Sequence, residues 1–423
     1  MGLATGVGGV FMSLVHVPAA RMPPAEYGVL LMFLQVINLM LIPAMGLQTV
    51  VAQQTAAAVA SEQQKELAYT VRRLFLAMFV VWAGVALSVF LGRNRLLTSL
   101  KIGNPLALWY TLVIGLASLW YPILQGILQG RQNFLWLGWL QIINGTARFA
   151  GVVVMVWWLG GHAAGALGAA IAAYAVVVMT AAWHGRSTWL GEGRPVEWSG
   201  WLRRVVPLTL GLAASQFMMA ADQIVVQTVF DREITARYGA AGMIGRALVF
   251  ITGALVAVMF PKIVRSVARS EKTNVAVLAF GATALVGGLA GVVCTLFPSL
   301  PLRIMYYFQP AYWASSSLVP WFVWSMLPLT LANVLINNLL ARGRFACVPW
   351  LLLVAVGYGV ALVLRARLVA DAEMFGAFKT VVQTIGMFSL ILLLVASFFT
   401  WLHRPAAPSL EEPPSGSGPV VLG

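Results

Sequence analysis

Residues 222–262, DQIVVQTVFDREITARYGAAGMIGRALVFITGALVAVMFPK, contain the pattern on which the chain is built. The stretch reads as the end of one apolar segment, a short polar turn at Asp231–Arg237, and a second apolar segment that opens at Tyr238-Gly239 and closes at Pro261. A helix of about 20 apolar residues crosses the hydrocarbon core of a bilayer. The stretch therefore predicts the turn and second arm of a transmembrane helical hairpin.

The same pattern occurs near the N-terminus, displaced by 211 residues. Five pairs keep this offset: Arg21 and Arg232, Tyr27 and Tyr238, Gly28 and Gly239, Arg131 and Arg342, and Phe134 and Phe345. The pairs fall at equivalent places in the hydropathy pattern. Self-similarity at one fixed spacing is typical of an internal repeat, so the chain is predicted to contain two copies of one unit.

The composition places these copies in a membrane. Hydrophobic residues make up 60% of the 423 residues and charged residues 9%, whereas soluble domains carry roughly 25% charged residues. The apolar runs have the length of membrane-spanning helices rather than that of the short alternating strands of a barrel. The predicted fold class is an all-α polytopic membrane protein.

The apolar runs predict about twelve transmembrane helices, six in each copy. They lie at 3–20, 28–52, 74–92, 106–129, 138–160, 163–184, 205–230, 239–261, 273–299, 313–341, 347–364 and 375–402. An even number in each copy gives both the same orientation, as in parallel-repeat transporters. We expect an N-terminal lobe at 1–184, a cytoplasmic linker at 185–204, a pseudo-symmetric C-terminal lobe at 205–402 and a disordered cytoplasmic tail at 403–423.

Basic residues in the connections favour a cytoplasmic N-terminus. Of the 27 Lys and Arg residues, fifteen fall in the connections that would then be cytoplasmic and nine in the outer ones. Cytoplasmic loops of membrane proteins carry the excess of basic residues. The net charge of +14 is explained by this bias and by anionic lipid head groups, so no nucleic-acid partner is expected.

The sequence contains no motif for catalysis, metal binding or cofactor binding. Cys294 and Cys347 lie in or beside apolar spans, and the four histidines show no ligand spacing. The connections are short, which leaves no sizeable outer loop for catalytic acids or bases. We therefore expect no enzyme activity, no metal and no cofactor.

Charged residues inside predicted spans mark the candidate site, because such charges are costly in a bilayer and usually face a cavity or a partner. Arg148 lies in mid-span, with Asn144 and Gln141 on the same helix face. Arg246 and Lys379 lie less deep, and Asp222 is the one acid well within a span. Asp222 is the candidate for ion coupling. Alternatively, Asp222 pairs with Arg246 or Lys379 as a structural lock, or these cations extend to the outer interface.

An excess of intramembrane cations suits an anionic substrate, and a guanidinium suits phosphate in particular. Two prolines add a candidate for movement, because proline removes a helical hydrogen bond and can bend the helix. Pro122 and Pro328 lie near the middle of the fourth span of each copy. These two positions are candidate hinges, and static helix packing is the alternative explanation for such prolines.

The segment ARMPPAEYGVLLMFLQVINLMLIPAMGLQTVVAQ resembles the first helical hairpin of the polysaccharide and lipid-linked oligosaccharide exporters of the MOP flippase superfamily. The resemblance rests on Arg21, Pro23-Pro24 and Glu26-Tyr27-Gly28, and it continues through LQGRQNF, MMAADQIVVQTVF and GMIGRALVFITGALVAVMFPKIVRS. Met22 departs from the usual turn glycine. The fold implied by the resemblance is two six-helix lobes around a central cavity, the Wzx-type and MATE-like architecture.

The resemblance implies that a polyprenyl-pyrophosphate-linked oligosaccharide crosses the bacterial inner membrane by alternating access, as in lipopolysaccharide O-antigen assembly. Arg21, Arg148, Arg246 and Lys379 are the expected cavity cations. Partners would be the lipid-linked substrate, membrane lipids and polysaccharide polymerase or assembly proteins. The alternatives are a multidrug or organic-cation antiporter of the same superfamily, and a non-transporting subunit of a polysaccharide assembly machine.

Overall fold

The computed structural model describes residues 2–196, 199–249 and 275–402. Over these ranges the chain is helical and contains no strand. Helices are the expected solution for apolar runs of this length, because a helix satisfies its own backbone hydrogen bonds in a medium without water. The prediction of an all-α protein is confirmed.

The first half of the chain contains eight helices. They are α1 (Gly2–Leu14), α2 (His16–Ala19), α3 (Pro24–Ala57), α4 (Ser61–Leu91), α5 (Arg93–Ser99), α6 (Leu106–Gly130), α7 (Phe134–Val152, prolonged by a π-helical segment at Val153–Trp158) and α8 (His162–Trp189). Proline at the first position of α3 suits a helix start, where a backbone N–H is not needed. Asn133 caps α7 by accepting a hydrogen bond from the Trp136 backbone N–H at 3.4 Å.

The second half follows the same order over the described residues. Its helices are α9 (Ser199–Val229), α10 (232–249), α11 (Val275–Leu296), α12 (Leu300–Met305), α13 (Val319–Ala341, preceded by a 3₁₀-helix at Pro310–Leu318), α14 (Val348–Leu368, preceded by a 3₁₀ turn at Phe345–Cys347) and α15 (Met374–Ser397, prolonged by a π-helical segment at Phe398–Leu402). Helix α10 is described up to residue 249 and α11 from residue 275, and residues 250–274 between them are not described.

Ten of the described helices are long and apolar enough to cross a bilayer. The first predicted span falls on α1 and α2, which contain a shorter apolar helical stretch at Gly6–Ala19. The eighth falls on α10, and its residues 250–261 lie outside the described part of the chain, as do residues 273–274 of the ninth. Each predicted span thus overlaps a helix.

Helix packing in the second half repeats that in the first. Helix α6 contacts α4 and α8, and α13 contacts α11 and α15 in the same way. The pair α1 and α7 has its counterpart in α9 and α14, and α7 and α8 in α14 and α15. Two pseudo-symmetric halves follow from this repeated pattern.

The halves meet along α3, α9 and α10, and one hydrophobic core includes residues of both. The repeated Tyr-Gly motif lies at this contact. A Cβ added to Gly28 on α3 would lie 2.7 Å from the Thr235 Oγ1 on α10, and one added to Gly239 on α10 would overlap Leu31 on α3. The two glycines therefore permit the close approach of the halves.

The connection between the halves is shorter than the predicted linker at 185–204. Helix α8 runs to Trp189, and α9 begins at Ser199. The connection is held to the start of α4, since Arg194 and Glu62 form an ion pair at 3.0 Å. The lobe boundaries stay a prediction, and the predicted disordered tail at 403–423 lies outside the described residues.

Candidate substrate-binding site

The deep charges of the second half bind each other. On α10, the Arg246 Nη2 donates to both carboxylate oxygens of Asp222 on α9, at 2.7 and 2.6 Å. The Arg246 Nε donates to the Met219 carbonyl at 3.1 Å. The two side chains are 1% and 0% exposed, and buried charges of this kind are tolerated when they are paired. In this conformation the Arg246 guanidinium is therefore not free to contact a ligand.

Two further residues contact the ion pair of Asp222 and Arg246. The Tyr238 hydroxyl donates to Asp222 Oδ2 at 2.8 Å, which brings the hydrogen bonds to this carboxylate to three. A Cβ at Gly242 would lie 2.6 Å from the Arg246 Nη1, so glycine is needed there to make room for the guanidinium. Ion binding at Asp222 would require Arg246 to leave.

Arg148 is a deep cation without such a partner. Its side chain on α7 is 7% exposed. Within the described part of the chain its guanidinium forms no hydrogen bond. It forms no ion pair either, because the four ion pairs found there join other residues. An unpaired guanidinium is costly to bury, and such a charge inside a membrane protein marks a functional site. The position is suited to an anionic ligand.

Polar groups accompany Arg148 on α7. Asn144 lies one turn before it and Gln141 one turn before Asn144, both half-buried. The Asn144 Oδ1 is buried and has no hydrogen-bond partner among the described residues. The three residues predicted from their spacing are thus brought together, with hydrogen-bonding capacity that the chain itself does not use.

A second polar group lies in the other half. The Ser215 Oγ on α9 donates to the Asn333 Oδ1 on α13 at 3.3 Å. Asn337, one turn later on α13, donates to the same oxygen at 3.1 Å. The four-residue spacing of the two asparagines places them on one helix face and can be seen in the sequence. Their contact with Ser215 cannot, because Ser215 and Asn333 are 118 residues apart.

Arg21 lies at the predicted outer end of the bundle, where it bridges the two halves. Its guanidinium carbon is 3.8 Å from the ring centre of Trp157 on the π-helical end of α7, and 3.9 Å from that of Phe308 in the second half. The Trp157 indole also donates to the Pro18 carbonyl at 3.2 Å. Arg21 therefore holds an aromatic contact in this conformation and does not join Arg148.

A hydrogen-bonded chain crosses between the halves at the same end. The His16 Nδ1 lies 3.0 Å from the Tyr27 hydroxyl, which lies 3.0 Å from the Tyr306 hydroxyl. All three side chains are buried. The sequence pattern marked Tyr27 through the repeat, but it did not mark His16 or Tyr306, because the tyrosines are 279 residues apart.

Two further contacts join the halves there. The Lys101 amino group, in the connection between α5 and α6, donates to the Phe230 carbonyl. The Gln227 side chain donates to the Leu100 carbonyl at 3.3 Å. Partial burial lowers the pKa of Lys101. The predicted outer end is therefore closed.

Lys379 lies apart from these groups. It is half-buried on α15, with its amino group 4.3 Å from the ring centre of Trp321. No contact within the described residues joins it to Arg148 or to Arg246. Of the alternatives left open by the sequence, an interfacial position fits this contact best.

Pro122 and Pro328 each lie inside a continuous helix, α6 and α13 respectively. Their role as hinges stays a prediction, because movement about a hinge is seen only by comparing two conformations of the protein.

The described residues contain a groove of about 620 Å³ along α4 and α5 and a pocket of about 400 Å³ beside Ser99 and Arg367. Neither is lined by Arg148. No group of three or more metal-ligating side chains is found in the described ranges.

Residues 3–267 match the family described as polysaccharide biosynthesis protein, which is more than half of the chain. No curated protein sequence matches the chain. Among solved structures, the chain is similar to the inward-facing conformation of a multidrug resistance MATE family transporter of the MOP superfamily. The TM-score is 0.74 at 12% identity, over 95% of this chain and 94% of the other.

The outward-facing conformation of such a MATE transporter gives a TM-score of 0.69 at 12% identity, over 95% of this chain and 93% of the other. A MOP superfamily transporter from Pyrococcus furiosus, described as having a binding pocket of reverse polarity, gives 0.68 at 11% identity, over 95% and 94%. These similarities show the fold. Together with the family match over residues 3–267, they confirm the resemblance stated from the sequence: the chain belongs to the polysaccharide biosynthesis protein family and has the fold of the MOP superfamily transporters.

Proposed function

We propose that the protein moves a polyprenyl-pyrophosphate-linked oligosaccharide across the bacterial inner membrane by alternating access. The observation that carries this proposal is the buried guanidinium of Arg148, which has no carboxylate partner in the described ranges. Arg246 is neutralised by Asp222, so among the buried side chains of the described residues Arg148 supplies the uncompensated charge. A pyrophosphate offers paired oxygens that match a guanidinium.

The amides beside Arg148 suit the sugar part of such a substrate. Asn144 and Gln141 present donors and acceptors within one or two helical turns of the guanidinium. An oligosaccharide needs hydrogen-bonding partners when it leaves water, and the unpartnered Asn144 Oδ1 is one. The lipid tail would stay in the bilayer while the head group passes between the halves.

The closed predicted outer end supports alternating access. Arg21, Tyr27 and Lys101 of the first half contact the second half at that end. With this end closed, the substrate would enter from the cytoplasmic side, and the contacts would part for release. The proposal places both termini in the cytoplasm. It assigns no catalytic role, no metal and no cofactor, and polysaccharide polymerase or assembly proteins are the expected protein partners.

A multidrug or organic-cation antiporter is the main alternative, since the similar MATE structures belong to multidrug resistance transporters. Such a function requires acids free to bind a cation. Asp222, the deep acid in the described helices, accepts three hydrogen bonds from Arg246 and Tyr238. The arrangement therefore favours an anionic substrate. A non-transporting assembly subunit would not need a buried, unpaired Arg148.

The test is transbilayer movement of a fluorescent polyprenyl-pyrophosphate oligosaccharide in liposomes that contain the purified protein, run beside uptake of a cationic dye. We expect movement of the lipid and no uptake of the dye. Dye uptake without lipid movement would support the antiporter. The absence of both activities would support the assembly subunit.

A further inference from the structure

Helix α9 carries two buried amides at the contact between the halves, and the substrate site described above uses neither of them. Gln223 and Gln227 lie one helical turn apart, and both side chains are 0% exposed. The Gln223 Oε1 and Nε2 both lack a hydrogen-bond partner among the described residues, and so does the Gln227 Oε1. In the described ranges, Gln223 is the one side chain with two such atoms.

Both amides lie where the second half meets the first. The Gln227 Nε2 donates to the Leu100 carbonyl of the first half at 3.3 Å. A Cβ added to Gly239 on α10 would lie 2.9 Å from the Gln223 Oε1 and would overlap Leu31 on α3. Because this point is already filled by the two side chains, it has no room for a water molecule that could bridge the Gln223 amide to a partner.

A buried amide without a partner destabilises the conformation that buries it. The amide gives up its hydrogen bonds to water and gains none from the protein. Such groups are rare in native structures, and each one calls for an explanation. A static contact between the halves would be more stable with methionine at Gln223, because methionine is also unbranched and flexible and has no amide to satisfy.

Opening of the predicted outer end removes this cost. The closing contacts of Arg21 and Lys101 join the same two halves. When the halves part, Gln223 loses its cover from α3, and its amide becomes accessible to a group that both donates and accepts hydrogen bonds. Water and sugar hydroxyls are such groups. A group that binds the amide in the open conformation alone shifts the equilibrium toward that conformation.

We propose that Gln223 is a conformational bias built into the contact between the halves. Its unpartnered amide destabilises the closed outer end, and water or a sugar hydroxyl binds the amide when the end is open. The bias opposes the closing contacts described above, so the closed end is held less firmly than those contacts alone would hold it. Gln227 contributes less, because its hydrogen bond to the Leu100 carbonyl is itself a closing contact. The inference rests on the alternating access of the proposed function and not on the identity of its substrate.

The experiment measures the ratio of open to closed molecules for the full chain in lipid nanodiscs. Spin labels at Asn104→Cys and Ala314→Cys, exposed positions in the first and second half, report the distance across the predicted outer end in a background without Cys294 and Cys347. Gln223→Met removes both polar atoms and keeps an unbranched side chain. We expect it to lower the ratio of open to closed molecules about tenfold, the effect of one unsatisfied buried amide.

Ser389→Ala is the matched control. The Ser389 Oγ is also buried without a partner among the described residues, but its helix α15 packs on α13, α14 and α9 of its own half. The ratio should therefore not change in this variant. Thermal unfolding checks that both variants fold, and neither should melt below the native protein, since each loses an unpartnered polar group. All chains are also measured with Arg21→Ala, which weakens the closing contacts and should raise the open population.

The labels are read without and with the lipid-linked oligosaccharide. A lower ratio in Gln223→Met without the lipid identifies water as the group that binds the exposed amide, and a lower ratio only with the lipid identifies the sugar. An unchanged ratio under both conditions overturns the inference and leaves the proposed function standing. A single distance in the native chain and in Arg21→Ala, with and without the lipid, overturns alternating access and the inference with it.

Discussion

Gln132 and Gly343 are 211 residues apart in the chain and have the same left-handed backbone conformation, with φ of +57° and +68°. Each lies in the turn after a helix, α6 in the first half and α13 in the second, and these helices end 211 residues apart at Gly130 and Ala341. The repeat is therefore preserved in the backbone of its turns, although glutamine occupies one site and glycine the other.

This equivalence predicts opposite effects of substitution. A left-handed conformation costs a residue with a Cβ about 1–2 kcal/mol and costs glycine nothing. Gln132→Gly should raise the free energy of unfolding by about 1 kcal/mol, and Gly343→Ala should lower it by about as much. Gly288→Ala in α11 is the comparison of opposite sign to Gly343→Ala: its backbone is helical and an added Cβ meets nothing within 4 Å, so it should raise the free energy of unfolding by about 0.5–1 kcal/mol. Chemical denaturation in detergent micelles measures all three, and loss of stability in Gln132→Gly would contradict the prediction.

The Asp222–Arg246 pair should be structural. Asp222→Asn leaves a buried guanidinium without its counter-charge, which typically costs about 3–5 kcal/mol. We expect a large loss of stability in thermal unfolding and recovery of most of it in the double variant Asp222→Asn with Arg246→Gln. Asp231→Asn, at an exposed position, should change the stability by less than about 0.5 kcal/mol.

Equal stability of the two single asparagine variants would refute the structural role. The double variant also tests ion coupling. If its lipid movement keeps the ion dependence of the native protein, Asp222 is excluded as the coupling site.

Arg148 should be needed for transport and not for folding. Arg148→Ala removes an unpaired buried charge, so stability should not fall, while movement of the lipid-linked oligosaccharide should be abolished. Arg186→Ala is the matched control, because Arg186 is exposed and its guanidinium lies 4.0 Å from the Trp183 ring centre. Protein level, membrane insertion and lipid movement in liposomes are the measurements. Unchanged movement in Arg148→Ala would refute its role in the substrate site.

Arg21 should stabilise the closed predicted outer end. A cation between two aromatic rings contributes about 1–2 kcal/mol, and here the rings belong to different halves. Arg21→Ala should therefore shift the population toward an open end. Spin labels at Asn104→Cys and Ala314→Cys, two exposed positions with one in each half, report the distance in a background without Cys294 and Cys347.

Arg303→Ala is the control, since Arg303 and its aromatic partner Trp313, 5.3 Å away, both belong to the second half. The label distance should lengthen in Arg21→Ala and stay unchanged in Arg303→Ala. An unchanged distance in both variants would mean that the Arg21 contact does not hold the end closed.

Much of the fold could be predicted because membrane helices are encoded locally. Apolar runs of span length have no other way to satisfy their backbone in lipid, so the twelve predicted segments fall on helices wherever the structure describes them. The start of α3 at Pro24 and the end of α13 before Gly343 are likewise explained by local residues. The repeat was visible because equivalent turns retain equivalent residues.

The candidate site was predictable in part. Asn144 and Arg148 share a helix face by spacing alone, and the structure retains that group. The sequence left open whether Arg246 pairs with Asp222 or lines a cavity, since both agree with the pattern. The distance between α9 and α10 decides it, at 2.6 Å between Arg246 Nη2 and Asp222 Oδ2.

The sequence by itself determined the helical membrane class, the two-copy organisation and the grouping of Arg148 with Asn144 and Gln141. These depend on hydropathy, fixed offsets and helical spacing. Tertiary structure alone decided the contacts between the halves. Arg21 between Trp157 and Phe308, and His16 linked through Tyr27 to Tyr306, join residues more than 100 positions apart. No local pattern encodes which side chains two packed halves bring within 3–4 Å of each other, because that depends on how the whole bundle closes.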